Sequence, residues 1–227
     1  MMDLNTVGLS ELQHSAYVRF SVLAVSSIFF LVDPFAALPT FLAVTAGATK
    51  IRRRAMALKA SVTAWVALSA FALLGRYLFQ MFGITLPAFE IAGGIILLLI
   101  GLDMLEAKRS PTQEVSGDAE EAASKEDAGI VPLGIPMLAG PGSITSVMVL
   151  VGQAQNSLQI GIILGAIAVT AAVCFFVLGN SDKVATVLGD TGIRILVRIM
   201  GLLLVALAVQ YFVNGMADLG VLAKPVS

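Results

Sequence analysis

The sequence predicts an all-α integral membrane protein: six transmembrane helices in two inverted three-helix repeats, with the first and fourth helices broken at proline pairs. Three observations carry this reading. Charged residues are only 13% of the chain against 58% hydrophobic ones, and the mean hydropathy is +0.93. Uncharged runs recur at lengths that suit a bilayer. Two proline pairs of equal spacing stand one in each half.

A soluble domain carries about 25% charged residues. Half that supply cannot cover a 23.7 kDa water-soluble globule, which excludes an ordinary soluble enzyme. Disorder needs low hydrophobicity and high net charge. The formal net charge is -1 with a pI of about 5.8, so no nucleic-acid partner is expected. Cys174 is the single cysteine and His14 the single histidine. That count removes disulfide frameworks, CxxC chemistry and Cys/His metal sites, and neither metal nor cofactor is expected.

A helix needs about 20 apolar residues to cross a hydrocarbon core of about 30 Å. The first helix is placed near 17–45, because from Phe20 to Thr49 the only charge is Asp33. Residues 1–16 precede it as an outward-facing tail. They hold Asp3 and Glu11 and no Lys or Arg, unlike the n-region of a secretory signal, so the segment is expected to stay in the mature protein. The second helix, near 55–80, contains the uncharged run Ala60 to Gly75. The third, near 87–106, lies in a run from Tyr77 to Leu102 whose one charge is Glu90. These three form the first repeat, 17–106.

Residues 107–129 form an acidic cytoplasmic linker with Glu114, Asp118, Glu120, Glu121, Glu126 and Asp127 among Ser, Gly and Pro. It reads as a joint between two halves. From Ala128 to Ser181 there is no charge across 54 residues, with a polar break at Gly152–Gln159. That run holds the fourth and fifth helices, near 130–151 and 158–179. Ile199 to Ala217 is again uncharged and anchors the sixth, near 194–216. The second repeat covers 130–217, and 218–227 is an outward-facing tail. The segments are apolar all round, as expected in lipid, and lack the period-two alternation of a membrane barrel.

Basic residues set the orientation. Lys50, Arg52, Arg53, Arg54 and Lys59 follow the first helix. If that side is cytoplasmic, Lys108, Arg109, Lys125, Lys183, Arg194 and Arg198 share it, leaving Arg19, Arg76 and Lys224 outside. Eleven against three is a positive-inside pattern, and both termini then face out.

The first helix contains Asp33-Pro34-Phe35-Ala36-Ala37-Leu38-Pro39, and the fourth Ile135-Pro136-Met137-Leu138-Ala139-Gly140-Pro141-Gly142-Ser143. Each has prolines five apart. Gly94 in the third helix and Gly201 in the sixth are each followed by an apolar run. Three helices per half is an odd number, so the second half enters the membrane from the opposite side. Transporters built this way hold their ligand between the repeats.

Proline removes an amide and clashes with the preceding turn. Backbone freed this way inside hydrocarbon must face protein or a watery cavity. Asp33-Pro34 reads as an N-cap followed by proline at the first helical position, and Gly140-Pro141-Gly142-Ser143 reads similarly. Each break then offers a half-helix N-terminus that binds anions and carbonyls that accept from an ammonium group. A small zwitterion suits those poles. The plain alternative is two proline kinks in packed helices.

Asp33 has three possible roles: partner of a substrate ammonium, carrier of a coupling proton, or cap of the second half-helix. Glu90 is placed in the first turn of the third helix after Pro87, a favourable dipole position that favours a structural role over coupling. Arg198 lies near the cytoplasmic end of the sixth helix and reads as a snorkelling side chain. Thr40 and Thr45 follow the first break, and Ser143, Thr145 and Ser146 the second. Their hydroxyls line a pathway or satisfy freed carbonyls. Gly93, Gly94, Gly201, Gly161 and Gly165 read as close helix packing.

At these motifs the chain resembles the MarC family of bacterial inner-membrane proteins. The matching stretches run from Val32 to Phe41, Ala92-Gly93-Gly94, Ile135 to Ser143, Arg198-Ile199-Met200-Gly201 and Asn214-Gly215. The likeness covers roughly residues 15 to 217. It implies six helices, a bacterial inner-membrane location and a relation to LysE-type transporters, some of whose archaeal relatives are regarded as carriers of small neutral amino acids. The substrate elements it implies are Asp33, Pro34 and Pro39 in the first break and Gly140, Pro141, Gly142 and Ser143 in the second. Ala36 stands where many relatives have glycine, which bears on the size of the substrate space.

The expected function is therefore a secondary transporter of a small neutral amino acid or similar metabolite. Its partners would be the lipid bilayer, a small zwitterionic substrate and a coupling ion, H+ or Na+; a homo-oligomer is compatible. The alternatives are efflux of another small solute, or a regulatory or structural role without transport. An enzyme is not expected: His14 precedes the first helix, Asp33 and Glu90 are too weak a pair for the facing acids of an aspartyl protease, and Cys174 has no partner cysteine for thiol–disulfide exchange.

Overall fold

The computed structural model describes residues 4–106 and 138–222, with side chains from Ser15 onward except those of Arg76 and Asp190. The acidic linker, Ile135, Pro136, Met137 and the tail from Ala223 lie outside the described residues. Seven helices make up the described part: α1 (Leu4–Val32), α2 (Leu38–Val44), α3 (Lys50–Phe82), α4 (Leu86–Leu105), α5 (Pro141–Gln153), α6 (Ser157–Gly179) and α7 (Ser181–Asp218). No strand occurs among the described residues.

Five helical stretches are long and apolar enough to cross a membrane: Ser15–Val32, Lys50–Gly75, Leu86–Leu105, Ser157–Gly179 and Thr191–Asp218. This is the composition and architecture of a multi-pass membrane protein. Helix α5, with 13 residues, covers about 20 Å and is too short to cross alone.

The helix limits differ from the sequence expectation in instructive ways. Helix α1 begins at Leu4, inside the segment expected to be a tail. Helix α3 begins at Lys50, because Thr49 caps it by accepting from the Arg52 amide at 3.3 Å. It ends at Gly83, whose φ of 64° closes the helix in the left-handed region that glycine tolerates. Helix α7 starts at Ser181 and bends at Gly189 (φ 61°, ψ 171°) before its membrane stretch.

Helix α4 packs chiefly on α7, and α3 on α6. The α4–α7 contact is a seam of small residues. A β-carbon on Gly94 would lie 2.8 Å from the Ala208 carbonyl oxygen, and one on Gly215 would lie 2.7 Å from that of Pro87. Gly101 and Gly201 oppose each other in the same way. As position numbers rise on α4 they fall on α7, so the two helices are antiparallel.

Helix α3 presents Ala57, Ala60, Ala64 and Ala72 to the core beside Ile163, Ala166 and Ile167 of α6, and small residues let membrane helices approach closely. Gly161 and Gly165, by contrast, face no neighbour within 4 Å. Spacing alone suggested a packing role for them; they stand on the outer face of α6.

Helices α1 and α5 lie between the two pairs and contribute to both apolar clusters. Asn156 Nδ2 donates to the Tyr17 hydroxyl at 3.2 Å, tying the α5–α6 turn to the middle of α1. Arg53 pairs with Asp182 and donates to the Thr45 carbonyl at 3.3 Å. The connections after α2 and after α6 thus share one side, and Tyr17 of α1 lies with the α5–α6 turn.

Candidate functional site

The break at Asp33 and the non-helical Ala139 and Gly140 ahead of α5 meet at one cavity, while Pro136 of the expected second break lies outside the described residues. Helix α1 stops at Val32, and Asp33 turns the chain with φ 41°, the one positive φ of a non-glycine residue among those described. Aspartate tolerates this conformation better than most residues because its short side chain bonds locally. Asp33 Oδ1 accepts from the Ala36 amide at 3.0 Å. The Asp33 carbonyl accepts from Ala37 at 3.4 Å, and helix α2 resumes at Leu38.

This corrects the expected N-cap role. Asp33 closes the turn between the helices, and Ala37 occupies the N-cap position of α2 without a side-chain bond. Pro39, not Pro34, stands in the first turn of that seven-residue helix. The aspartate-proline pattern fits either arrangement; the left-handed backbone at Asp33 decides between them.

At the second break, Gly140 is extended (φ −76°, ψ 174°) and Pro141 opens α5. The first turn of a helix leaves its amides without intrahelical acceptors. Pro141 has none to offer, so Gly142 and Ser143 supply them. The Ser143 hydroxyl donates to the carbonyls of Leu138 and Gly140, each at 3.0 Å, and Thr145 Oγ1 donates to the Pro141 carbonyl at 2.8 Å. The Leu138 bond spans the break, whereas the Gly140 carbonyl also accepts from the Ile144 amide at 3.0 Å.

Glycine on each helix seats a side chain of the other. A β-carbon on Gly93 would fall 2.0 Å from Thr145 Cγ2, and one on Gly142 would fall 2.7 Å from Leu97 Cδ2. This interlock of α4 with α5 holds the second break against Leu97 and Ile100.

The cavity has a volume of about 40 Å³ and is lined by Asp33, Ala36, Gly140, Pro141, Gly142 and Ser143 together with Leu31, Val32, Ala37, Leu97, Ile100, Met104 and Leu204. Asp33 is 5% exposed, and its Oδ2 is buried with no hydrogen-bond partner, although the Phe35 amide also lies toward the carboxylate. One water needs about 10–15 Å³ on this scale, so the space holds a few heavy atoms. It lies about 20 Å along α5 from Gln153.

Six of the nine expected substrate residues line this cavity. Pro34, Pro39 and Thr40 do not. Pro34 is buried away from it, Pro39 is exposed and Thr40 is half-buried. The apolar wall from α4 and α7 was not foreseen. Leu97, Ile100, Met104 and Leu204 carry no mark in the sequence that separates them from other apolar residues of their helices.

The other charges lie elsewhere. Glu90 is 1% exposed and sits one turn deeper than the expected first-turn position, for the first turn of α4 holds no acid. Its Oε1 accepts from Gln153 Nε2 at 3.3 Å, while Oε2 is buried without a partner. Tyr211 and Ser146 lie toward the same place. Arg198 is exposed on α7 and does not reach the cavity. No group of three or more acids, histidines and cysteines that could hold a metal occurs among the described residues.

Comparison with known proteins assigns the lineage. The profile of the MarC family of integral membrane proteins matches residues 18–219. The chain belongs to the MarC family. A UPF0056 membrane protein of Methanocaldococcus jannaschii is 40% identical over 198 residues, covering 87% of this chain and 96% of that relative. YhcE of Escherichia coli, a membrane protein of the same group, is 33% identical over 199 residues, 88% of this chain and 91% of its own. YvbG of Bacillus subtilis is 34% identical over 184 residues, 81% and 87% respectively. No solved structure matches this MarC protein. The matched region includes both breaks, and the names of these relatives describe membrane proteins without stating a substrate.

Proposed function

We propose that this MarC protein is a secondary transporter, not an enzyme, for a small neutral amino acid or a metabolite of similar size and charge. The observation that carries the reading is the meeting of the two chain breaks at one buried cavity. An acid with an unpartnered oxygen stands on one side and the N-terminal amides of α5 on the other. A zwitterion fits both poles: its carboxylate at Gly142 and Ser143, its ammonium at Asp33 Oδ2. A helix N-terminus favours an anion, and a buried unpaired carboxylate oxygen favours a cationic donor. The small volume favours glycine, with alanine and serine requiring the walls to give.

Six spans in two inverted repeats are part of this proposal. Aligning the halves on Gly94 and Gly201 also equates Gly101 with Ala208. Gly94 faces Ala208, and Gly201 faces Gly101. The two contacts are one contact repeated under the same offset. Because α4 and α7 are antiparallel, this supports a two-fold axis in the membrane plane, the symmetry of inverted-repeat transporters. The reading includes a bacterial inner-membrane location with both termini outside. Asp33 or Glu90 is then the candidate for coupling to H+ or Na+, since the sequence holds no nucleotide-binding motif.

The direct test is flux. Purified protein in proteoliposomes should take up labelled glycine saturably, and unlabelled alanine and serine should compete. A folded, monodisperse sample showing no saturable flux of any of the three, and no thermal stabilisation by them, would sink the amino-acid reading.

A further inference from the structure

A second concave site lies on the lipid-facing side, between α3 and α6, and it is independent of the transport reading. Its volume is about 230 Å³ and its lining is almost wholly apolar. Leu58, Val62 and Trp65 of α3 form one wall and are all substantially exposed. Helix α6 supplies a floor of small residues, Ala168, Ala171 and Ala172, ending at Phe175. Ser61, the single polar lining residue, is buried.

The groove has one charged end. Arg54 precedes Leu58 by one turn of α3, and Gly179 follows Phe175 by one turn of α6. A β-carbon on Gly179 would lie 4.0 Å from Arg54 Cγ. Starting from that contact, antiparallel helices set Phe175 beside Leu58 and Ala168 beside Trp65, so the lining residues continue the register that Arg54 begins. Lys50 stands one further turn out on the same stripe of α3, and both cations are exposed. Arg53, the neighbouring residue, points elsewhere and is engaged by Asp182.

From Arg54 to Trp65 the helix rises about 16 Å. Half of a hydrocarbon core of about 30 Å is about 15 Å. The apolar groove therefore spans one leaflet, with its cationic end at the headgroup level of the side where basic residues gather. We propose that this groove is a specific site for an anionic phospholipid: one acyl chain lies along α3 and α6, and the phosphate is held by Arg54 and Lys50. Basic residues at a membrane surface attract anionic headgroups, and the alanine floor gives the chain a channel that larger residues would fill.

The test uses the full-length purified protein, delipidated in detergent and titrated with phosphatidylglycerol or phosphatidylcholine under native mass spectrometry. One phosphatidylglycerol per chain should bind in preference to phosphatidylcholine. Lys50→Gln combined with Arg54→Gln should weaken phosphatidylglycerol about tenfold or more and leave phosphatidylcholine unchanged. Ala172→Phe should expel the lipid with both cations in place; if that variant does not fold, Val62→Trp narrows the groove from its exposed wall. Equal binding of the two lipids, unaltered selectivity in the double variant, or lipid retained in the filled groove would overturn the proposal. So would a lipid-free dimer that Ala172→Phe dissociates, which would make the groove an interface between copies.

Discussion

Gly101 and Gly201 press backbone against backbone: a β-carbon on either would lie 3.0 Å from the other's carbonyl oxygen. Carbonyl oxygens of a helix cannot turn aside as a flexible side chain can, so this contact sets the distance between α4 and α7.

Substitution along that seam should therefore be costly. Gly101→Ala and Gly94→Ala are each expected to destabilise the protein by about 1–3 kcal/mol through overpacking. Gly161→Ala and Gly165→Ala, which face open space, should leave stability unchanged or raise it by up to about 1 kcal/mol. Thermal unfolding of the four variants in one detergent checks this; equal effects at all four positions would contradict the seam.

Asp33→Asn and Asp33→Ala should separate charge from turn geometry. Asparagine keeps an oxygen to accept from Ala36 and tolerates the left-handed backbone, so Asp33→Asn should fold with near-parental stability. It loses the charge, and a charge-assisted hydrogen bond contributes about 1.5–3 kcal/mol. Substrate binding by thermal shift should weaken roughly tenfold to a hundredfold. Asp33→Ala loses the turn bond as well and should melt at a lower temperature. Unaltered ligand response in Asp33→Asn would leave Asp33 with the turn alone.

The size of the cavity should be tunable at Ala36. Ala36→Gly enlarges the space and should shift preference from glycine toward alanine and serine. Ala36→Val should fill the space and abolish binding while the protein remains folded. Competition for labelled glycine in proteoliposomes measures both, and an unchanged order of preference would place the substrate elsewhere.

Orientation is open to labelling. Cys174 is fully buried and should resist an impermeant thiol reagent in intact cells and in inverted vesicles. Ile51→Cys, at a site 84% exposed, should react only in inverted vesicles. Val221→Cys, at a site 61% exposed, should react only in intact cells. Reaction of both from the same side would refute the positive-inside assignment.

Much of this organisation was legible because absence of charge is a physical requirement of the bilayer. The long spans follow from it, and the prolines at 34, 39 and 141 mark where helices cannot run on. The local consequence was less legible. Asp33-Pro34 fits an N-cap pattern, yet the backbone at Asp33 turned left-handed and made the residue a turn closer. Pro39 breaks the chain without facing the cavity, because sequence position does not say which side of a short helix it occupies. Gly161 and Gly165 show the same gap: their spacing announces a smooth face without saying what it meets. Gly101, which does meet a helix, lies outside any conspicuous pattern.

The bend at Gly189 has a mechanical consequence. Ahead of it, Asp182 ties the start of α7 to Arg53 at the base of α3. Beyond it, α7 is zipped to α4, and α4 is keyed into α5 through Gly93 and Gly142. Gly189 has no neighbour within 4 Å of where its side chain would be. Swivelling there disturbs no packing at that point, so the Asp182 tether and the membrane stretch of α7, which packs chiefly on α4, can change their mutual angle.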